Sequence, residues 1–352
     1  MVRRLKSTLR EDPVLGVRPD GTPRFPLRVL EAIPVAYPDD EREAHRLLAE
    51  YTAARRRRAG TGSRREQTAA DFVTVMLKKR LFSSPEAFAR TLAVHQESLA
   101  RTAAAAAGAV QAAAGPALAD RMFEAVLARP DEEDFADDAE ATRAAEDALM
   151  AAGRAFSAPT QQEWELLRRL QAWADLAAGR PDAKTQRLLD HIDAWLRPRG
   201  RWNDERLIIF TEYRDTQNWI DQLLRDRGVP GERLAMLYGG MDAEDRERVK
   251  AEFQADPATT GVRLLIATDA ASEGIDLQRH CWRMVHLEIP WNPNRLEQRN
   301  GRIDRHLQPN PRSTSAPPAA TTSCWPTSAP GSSPRRCGCC APRSGPPAPR
   351  AG

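Results

Sequence analysis

Residues 298–305 read Gln-Arg-Asn-Gly-Arg-Ile-Asp-Arg, and this octet is the stretch that decides the fold. Its three arginines, Arg299, Arg302 and Arg305, are spaced three residues apart and would share one face of a helix. An arginine side chain keeps its charge and presents a planar fork of N–H donors, so such a row suits a chain of phosphates. For the arginines alone, a surface helix with ordinary salt bridges is the better interpretation, and a second segment upstream changes that judgement.

The second segment, residues 266–277, reads IATDAASEGIDL and continues a β-rich run. The run breaks at Thr268 into a loop of small residues. Because ligands of parallel α/β sheets lie where loops leave the carboxyl ends of strands, this loop is a candidate ligand site. Gly274 permits close backbone approach, while Thr268, Ser272 and Asp276 supply hydrogen-bonding groups. On its own, a Thr-Asp turn followed by glycine is common loop chemistry.

Repeated β-α units surround the two segments. Leu207–Thr211 is an apolar run of strand length, and residues 214–228 carry apolar side chains at helical spacing. A second strand is predicted at Leu234–Tyr238, followed by a helix over 242–255 with Asp242 as its N-cap. Strands that alternate with such helices predict an α/β fold with a parallel sheet covered on both faces.

The two segments together resemble motifs V and VI of superfamily 2 helicases and translocases, in the form found in Swi/Snf-related bacterial enzymes. Motif VI of that family commonly reads Q-R-x-G-R-x-x-R, and residues 298–305 match it at every fixed position. Residues 207–213 resemble motif IV, and residues 237–241 resemble the strand-to-helix turn between motifs IV and V. The resemblance covers about residues 205–305 and implies the second, C-terminal RecA-like lobe of such an enzyme.

The resemblance also implies roles for particular residues. Arg302 and Arg305 would act as arginine fingers on the γ-phosphate of ATP, and Gln298 would position the nucleotide or the attacking water. Gly274 and Asp276 would lie near the nucleotide.

A nucleic-acid partner is implied as well, with DNA favoured over RNA. Thr268 and Ser272 would contact a phosphate of its backbone. No metal ligand is assigned within this chain.

The nucleotide-binding lobe of such an enzyme is missing from the sequence. No G-x-x-x-x-G-K-[ST] occurs, and the acidic run 131–134 has no apolar strand before it. ATP and Mg²⁺ would therefore act only with a Walker-containing lobe 1 supplied elsewhere, and we expect the isolated chain to be inactive. Residues 2–6 resemble the junction between the two lobes, so Met1 is expected to be an internal or misassigned start. The alternative function is a non-catalytic remnant that binds nucleic acid or protein.

Four regions are predicted: 1–37 as the lobe junction with a first strand, 38–200 as a helical region with an Ala-rich and acidic linker, 201–308 as the lobe, and 309–352 as a disordered tail. The tail is rich in Pro, Ser, Ala and Arg and has no acidic residue. It holds four of the five cysteines without a paired C-x-x-C, so we expect no zinc site. The abrupt change of composition suggests a frameshift, which resequencing would test.

Charge and hydropathy limit the remaining possibilities. The net charge of +3 includes six arginines in residues 305–352, so residues 1–304 sum to +3 − 6 = −3 and any basic surface must be local. Residues 55–58 are four consecutive arginines, for which a solvated helix end is favoured over a binding surface. No segment is apolar enough to span a membrane and no signal peptide opens the chain, so we expect a cytoplasmic protein without a membrane partner.

One helix of the region before the lobe can be predicted from aromatic spacing. Trp164, Leu167, Leu170 and Trp173 follow one another at intervals of three, which indicates an amphipathic helix. Packing of these side chains in a core is favoured over stacking on nucleic-acid bases.

Overall fold

The computed structural model describes residues 16–19, 21–106, 137–270, 276–290, 292–306 and 308–320, with Leu9 and Asp12. The strands within these residues are β1 (Leu27–Leu30), β2 (Ile33–Val35), β3 (Leu207–Thr211), β4 (Leu234–Leu237), β5 (Leu264–Thr268), β6 (Arg283–His286), β7 (Arg312–Ala316) and β8 (Pro318–Ala320). The α-helices are α1 (Asp39–Gly60), α2 (Arg64–Ser83), α3 (Pro85–Ala106), α4 (Asp138–Arg154), α5 (Gln161–Ala178), α6 (Ala183–Leu196), α7 (Arg214–Asp226), α8 (Ala243–Gln254) and α9 (Pro293–Asn300).

A six-stranded parallel sheet forms the centre of the lobe, in the order β1-β7-β6-β3-β5-β4. Strands β2 and β8 form a separate parallel pair. Every residue of β3 and of β5 is buried, as expected for central strands covered on both faces. The predicted α/β class, with a parallel sheet and a mostly helical region, is confirmed.

Side chains of β3 alternate between two hydrophobic cores because successive residues of a strand face opposite sides. Leu207 and Ile209 pack in the core that includes residues of α6 and α7. Ile208 and Phe210 pack in the other core, with Phe253 of α8. The predicted helices α7 and α8 therefore lie on opposite faces of the sheet, and their apolar residues form core.

The helical region, α1 to α5, has a hydrophobic core of its own. Leu167 and Leu170 are fully buried in it, and Trp164 and Trp173 pack against it, so core packing is the correct interpretation of this helix. The arginine run 55–58 lies at the end of α1, where Arg56 and Arg57 are exposed as expected for a solvated helix end, but Arg55 is not. Arg55 is buried, with its Nε 3.3 Å from the carboxylate of Glu163.

The order of the chain differs from the predicted division in two places. Strand β1 does not stand apart from the lobe: it is the edge strand of the main sheet and pairs with β7. The helical region is therefore inserted between strands of one sheet. Residues 312–316 and 318–320, which were expected to be disordered, form β7 and β8.

Strand β7 was missed because its sequence, RSTSA, has no large apolar side chain. Its small side chains are nevertheless buried: Ser313, Ser315 and Ala316 are each almost inaccessible to solvent. Residues 321–352, the rest of the expected tail, lie outside the described residues. Among those that are described, no helix combines the length and apolar character needed to cross a membrane.

Candidate functional site

Helix α9 carries the first part of the octet and ends inside it. Asn292 caps the helix by accepting a hydrogen bond from the backbone N–H of Asn294, and Pro293 occupies the first turn, where its missing N–H costs nothing. The helix ends at Asn300, with Gly301 as C-cap. The expectation that three arginines share one helical face is therefore wrong, because Arg302 and Arg305 follow the helix in a series of turns.

Arg299 lies within the helix and is committed to the protein interior. Its Nε and Nη2 donate to the two carboxylate oxygens of Asp269 at 2.5 and 2.6 Å, and Nη1 donates to the backbone carbonyl of Glu288 at 2.9 Å. Burial alone would lower the pKa of Arg299, but the carboxylates of Asp269, Glu212 and Glu288 together outweigh it and the pKa is raised. Arg299 therefore joins α9 to the loop after β5 and is not aimed at a ligand.

An open cleft beside the end of α9 brings together four of the residues predicted to act on a nucleotide: Gln298, Arg302, Arg305 and Asp276. The cleft is also lined by Phe25, Gln278, Gly301 and His306.

Two contacts fix Arg305 in this cleft. Its Nε donates to the carbonyl of Gly301 at 2.8 Å, and its Nη1 forms a short ion pair with Asp276. Arg302 is 7% exposed, and its backbone carbonyl accepts from the N–H of Leu277 at 3.1 Å. The backbone that carries these two arginines is thus hydrogen-bonded to Leu277, which follows β5 in the chain.

The donors in this cleft fit the phosphate end of a nucleotide. Arg302, Arg305 and Gln298 supply N–H groups from a buried, a partly exposed and an exposed side chain respectively, and a charged hydrogen bond is stronger where water is excluded. Among the described lining residues the only acid is Asp276, which is paired with Arg305. The acidic residues described in this cleft thus offer no carboxylate pair of the kind that binds Mg²⁺.

The predicted nucleic-acid residues lie elsewhere. Thr268 is fully buried at the carboxyl end of β5, where its Oγ1 donates to the carboxylate of Asp138 in α4 at 2.8 Å. Ser272 and the predicted nucleotide residue Gly274 lie outside the described residues.

Arg28 of β1 is a contributor that the sequence did not reveal. Its Nε and Nη2 donate to Asp304 at 2.9 and 2.7 Å, and its Nη1 donates to the carboxylate of Glu297 at 2.8 and 2.9 Å. Arg28 therefore connects the edge strand β1 to Asp304 of the octet and to Glu297, the residue just before the octet. No local signal could have shown this contact, because the partners are separated by 276 and 269 positions in the chain.

A buried polar cluster joins the helical region to the lobe. Glu288 accepts hydrogen bonds from the hydroxyls of Ser83 at 2.5 Å and Thr211 at 3.1 Å. Burial raises the pKa of Glu288, and the nearby Lys184 ammonium opposes that shift. Lys184 itself donates to the carbonyls of Phe82 and Ser83, both at 2.6 Å. Because these groups are buried and hydrogen-bonded to one another, they fix the position of the helical region against the lobe.

Residues 184–306 match the model of the helicase conserved C-terminal domain. Over this segment, which includes the octet, the chain is similar to the C-terminal lobe of helicases.

Individual relatives agree with that assignment over a limited length. The chain is 41% identical over 102 residues to the uncharacterized ATP-dependent helicase YqhH of Bacillus subtilis, an alignment that covers 29% of this chain and 17% of the relative. It is 33% identical over 116 residues to the RNA polymerase-associated protein RapA of Sodalis glossinidius, covering 31% of this chain and 12% of that protein. The chain thus spans less than a fifth of the length of these curated relatives.

Two solved structures cover most of the chain at low identity. The C-terminal part of the Fun30 ATPase domain aligns at a TM-score of 0.44 with 13% identity, over 85% of this chain and 87% of that one. The Hef helicase domain of Pyrococcus furiosus aligns at 0.49 with 16% identity, over 87% and 58%. Likeness at this level does not bear on function.

Proposed function

We propose that the chain supplies the second lobe of an ATP-dependent, Swi/Snf-related nucleic-acid translocase, with Arg302 and Arg305 as its arginine fingers. The observation that carries the proposal is the convergence of Arg302, Arg305 and Gln298 with Asp276 in one open cleft. The sequence resemblance at residues 266–277 and 298–305 selected the same side chains independently of their positions in space.

The contacts of Arg305 suggest how it would be held ready. Asp276 orients the guanidinium, and the side chain of Arg305 keeps 37% of its surface exposed. A phosphate offers the same bidentate geometry as a carboxylate, with more charge, so the guanidinium can exchange one anion for the other.

Arg302 differs in being nearly buried, which limits its conformations before a ligand arrives. A preorganised cation stabilises developing negative charge without having to reorganise during the reaction. Gln298 is exposed at the rim and can donate or accept, which suits the positioning of a nucleotide or a water.

ATP and Mg²⁺, held by a Walker-containing lobe, would supply the phosphoryl group on which these residues act. The proposed partners are therefore that lobe and a nucleic acid, with DNA favoured and the activity placed in the cytoplasm. Thr268 is the proposed contact to a nucleic-acid phosphate among the described residues.

The proposal is tested by DNA-stimulated ATP hydrolysis. The chain alone should show none, because it has no G-x-x-x-x-G-K-[ST] to hold the β- and γ-phosphates. The same chain fused in frame behind a lobe with both Walker motifs should turn over ATP in a DNA-dependent manner. Turnover by the chain alone, in a preparation free of contaminating ATPases, would overturn the assignment of roles.

The absence of a Walker motif also favours a second candidate, a non-catalytic module that binds nucleic acid or protein. This alternative predicts DNA or protein binding by the chain and no gain of turnover in the fusion. The DNA immediately upstream of the coding sequence offers a cheaper discriminator, since an open frame encoding a Walker lobe supports the enzyme.

A further inference from the structure

The start of helix α4 lies against the carboxyl ends of β4 and β5. The Oδ2 atom of Asp138 accepts a hydrogen bond from the backbone N–H of Gly239 at 2.7 Å and another from the hydroxyl of Thr268 at 2.8 Å. Two donors from separate loops of the lobe therefore converge on one carboxylate oxygen of the helical region.

The neighbouring residue, Asp137, makes an equally close approach. Its carboxylate caps α4 by accepting from the N–H of Ala139 at 2.7 Å, and it packs against Gly240. A Cβ placed at Gly240 would lie 2.7 Å from the Asp137 carboxyl carbon, and the φ of Gly240 is +82°. Only a glycine fits this turn while an anionic side chain lies over it.

A cation completes the surroundings of Asp138. The Arg214 guanidinium lies 3.5 Å from the centre of the Tyr238 ring, next to Gly239, and attracts the Asp138 carboxylate electrostatically. Burial raises the pKa of Asp138, while Thr268, the Gly239 N–H and Arg214 each act to lower it. A backbone N–H, a hydroxyl and an arginine around one anionic oxygen are the groups that proteins use to hold a nucleic-acid phosphate.

We propose that the Asp138 carboxylate occupies the position of a nucleic-acid backbone phosphate, so that the helical region and nucleic acid compete for Gly239 and Thr268. The inference rests on the proposed function, which makes Thr268 a phosphate contact. Nucleic acid then binds only when the start of α4 withdraws. The apparent dissociation constant equals the intrinsic one divided by the fraction of molecules in which these donors are free.

The competition is measured with a fluorescein-labelled DNA duplex of about 30 base pairs, by fluorescence anisotropy at one fixed salt concentration, because phosphate contacts are salt-dependent. Asp138→Ala should bind the duplex about tenfold more tightly than the unaltered chain, since two hydrogen bonds to an ionised group no longer hold the occluded state. The matched control is Asp147→Ala, which removes one negative charge from an exposed position of the same helix and should change affinity little.

A second pair of variants separates competition for these donors from a general change in charge. Thr268→Val should abolish most of the gain when it is combined with Asp138→Ala. Asp138→Asn, which keeps the shape and one acceptor oxygen but loses the charge, should fall between Asp138→Ala and the unaltered chain. Melting temperatures of all variants show whether each remains folded.

Equal affinity of Asp138→Ala and Asp147→Ala, including the absence of measurable binding in both, would overturn the proposal. A gain that survives Thr268→Val would overturn it as well. These results do not depend on turnover, so failure of the arginine fingers in the fused enzyme leaves the competition standing. Conversely, normal finger behaviour with no effect of Asp138→Ala rejects the competition alone.

Discussion

The guanidinium of Arg299 donates to both carboxylate oxygens of Asp269, at 2.5 and 2.6 Å, in a setting where Arg299 is 1% exposed. Asp269 follows β5 directly, while Arg299 lies in α9, so the pair joins segments 266–277 and 298–305. The positions of Arg302 and Arg305 depend on this ion pair, because the turns that carry them start where α9 ends.

Arg299→Ala should destabilise the lobe by about 3–5 kcal/mol, since it breaks a buried bidentate ion pair and leaves the Asp269 carboxylate with only the more distant Arg295 guanidinium, 4.0 Å away. Urea unfolding measures the change. Arg299→Ala combined with Asp269→Ala should cost less than the sum of the two single changes. The exposed Arg279→Ala is the control, with an expected change within about 0.5 kcal/mol. An additive double variant would contradict the coupling.

Arg302→Ala and Arg305→Ala should each reduce ATP turnover by roughly 10³–10⁵ in the chain fused to a Walker lobe, while DNA affinity stays nearly unchanged. A finger acts on charge that develops in the transition state, so its loss falls on the chemical step. Lysine at either position should restore turnover only in part, because it lacks the planar fork.

The same Arg279→Ala variant serves as the charge-matched control for the fingers. Melting temperatures belong in the same experiment, because Arg302 is nearly buried. A variant that melts normally and turns over normally would end the finger assignment for that residue.

His95 makes the helical region sensitive to acid. Its Nε2 lies 2.5 Å from the hydroxyl of Tyr51, and burial, reinforced by Arg55, lowers the pKa of His95 to about 3. A base whose folded pKa is depressed contributes stability that is present above its unfolded pKa of about 6.5 and is lost as pH falls.

Between pH 7.5 and pH 5.5 the unfolded chain gains about 1.4 kcal/mol from protonation of this one imidazole, which the folded chain does not gain. His95→Gln should therefore show a fall in unfolding free energy that is smaller by about that amount over the same interval. The comparison is between pH slopes, so a constant cost of the substitution does not affect it. Identical slopes would contradict the assignment.

Gly240→Ala should destabilise the contact between the start of α4 and the lobe. The φ of +82° is strained for any residue with a side chain, and the added methyl group would overlap the Asp137 carboxylate. We expect a loss of about 2 kcal/mol or more in urea unfolding. In an Asp137→Ala background the overlap is gone and only the strain remains, so the cost should be smaller. An equal cost in both backgrounds would show that Asp137 does not press on this turn.

Much of the lobe could be predicted because its signals are local. The apolar run at Leu207–Thr211 and the helical spacing over 214–228 are properties of short segments, and both form the expected elements, the helix ending at Asp226. The octet 298–305 selected residues that do line one cleft.

The remaining features depend on distant partners. Arg299 could not be separated from Arg302 and Arg305 by spacing. The difference depends on where α9 ends, because Arg299 lies within the helix while Arg302 and Arg305 follow it. Strand β7 carries serines instead of large apolar residues, and its pairing partner β1 lies far away in the sequence. The contact of Asp138 with Thr268 joins residues 130 positions apart, so neither segment contains a trace of the other.

The pairing of β1 with β7 has a consequence for how the protein is made. Leu27 lies opposite Arg312, 312 − 27 = 285 positions further along the chain, so β1 waits for β7 to be synthesised before the sheet can close. Leu27 and Leu30 keep 41% and 67% of their surface exposed even in the finished sheet, and more of each is uncovered during that interval. The bundle α1 to α5 has its own core and can fold meanwhile, because domains generally fold as they emerge. Closure of the sheet by pairing across so long a stretch is intrinsically slow, and until it occurs this edge is open to aggregation.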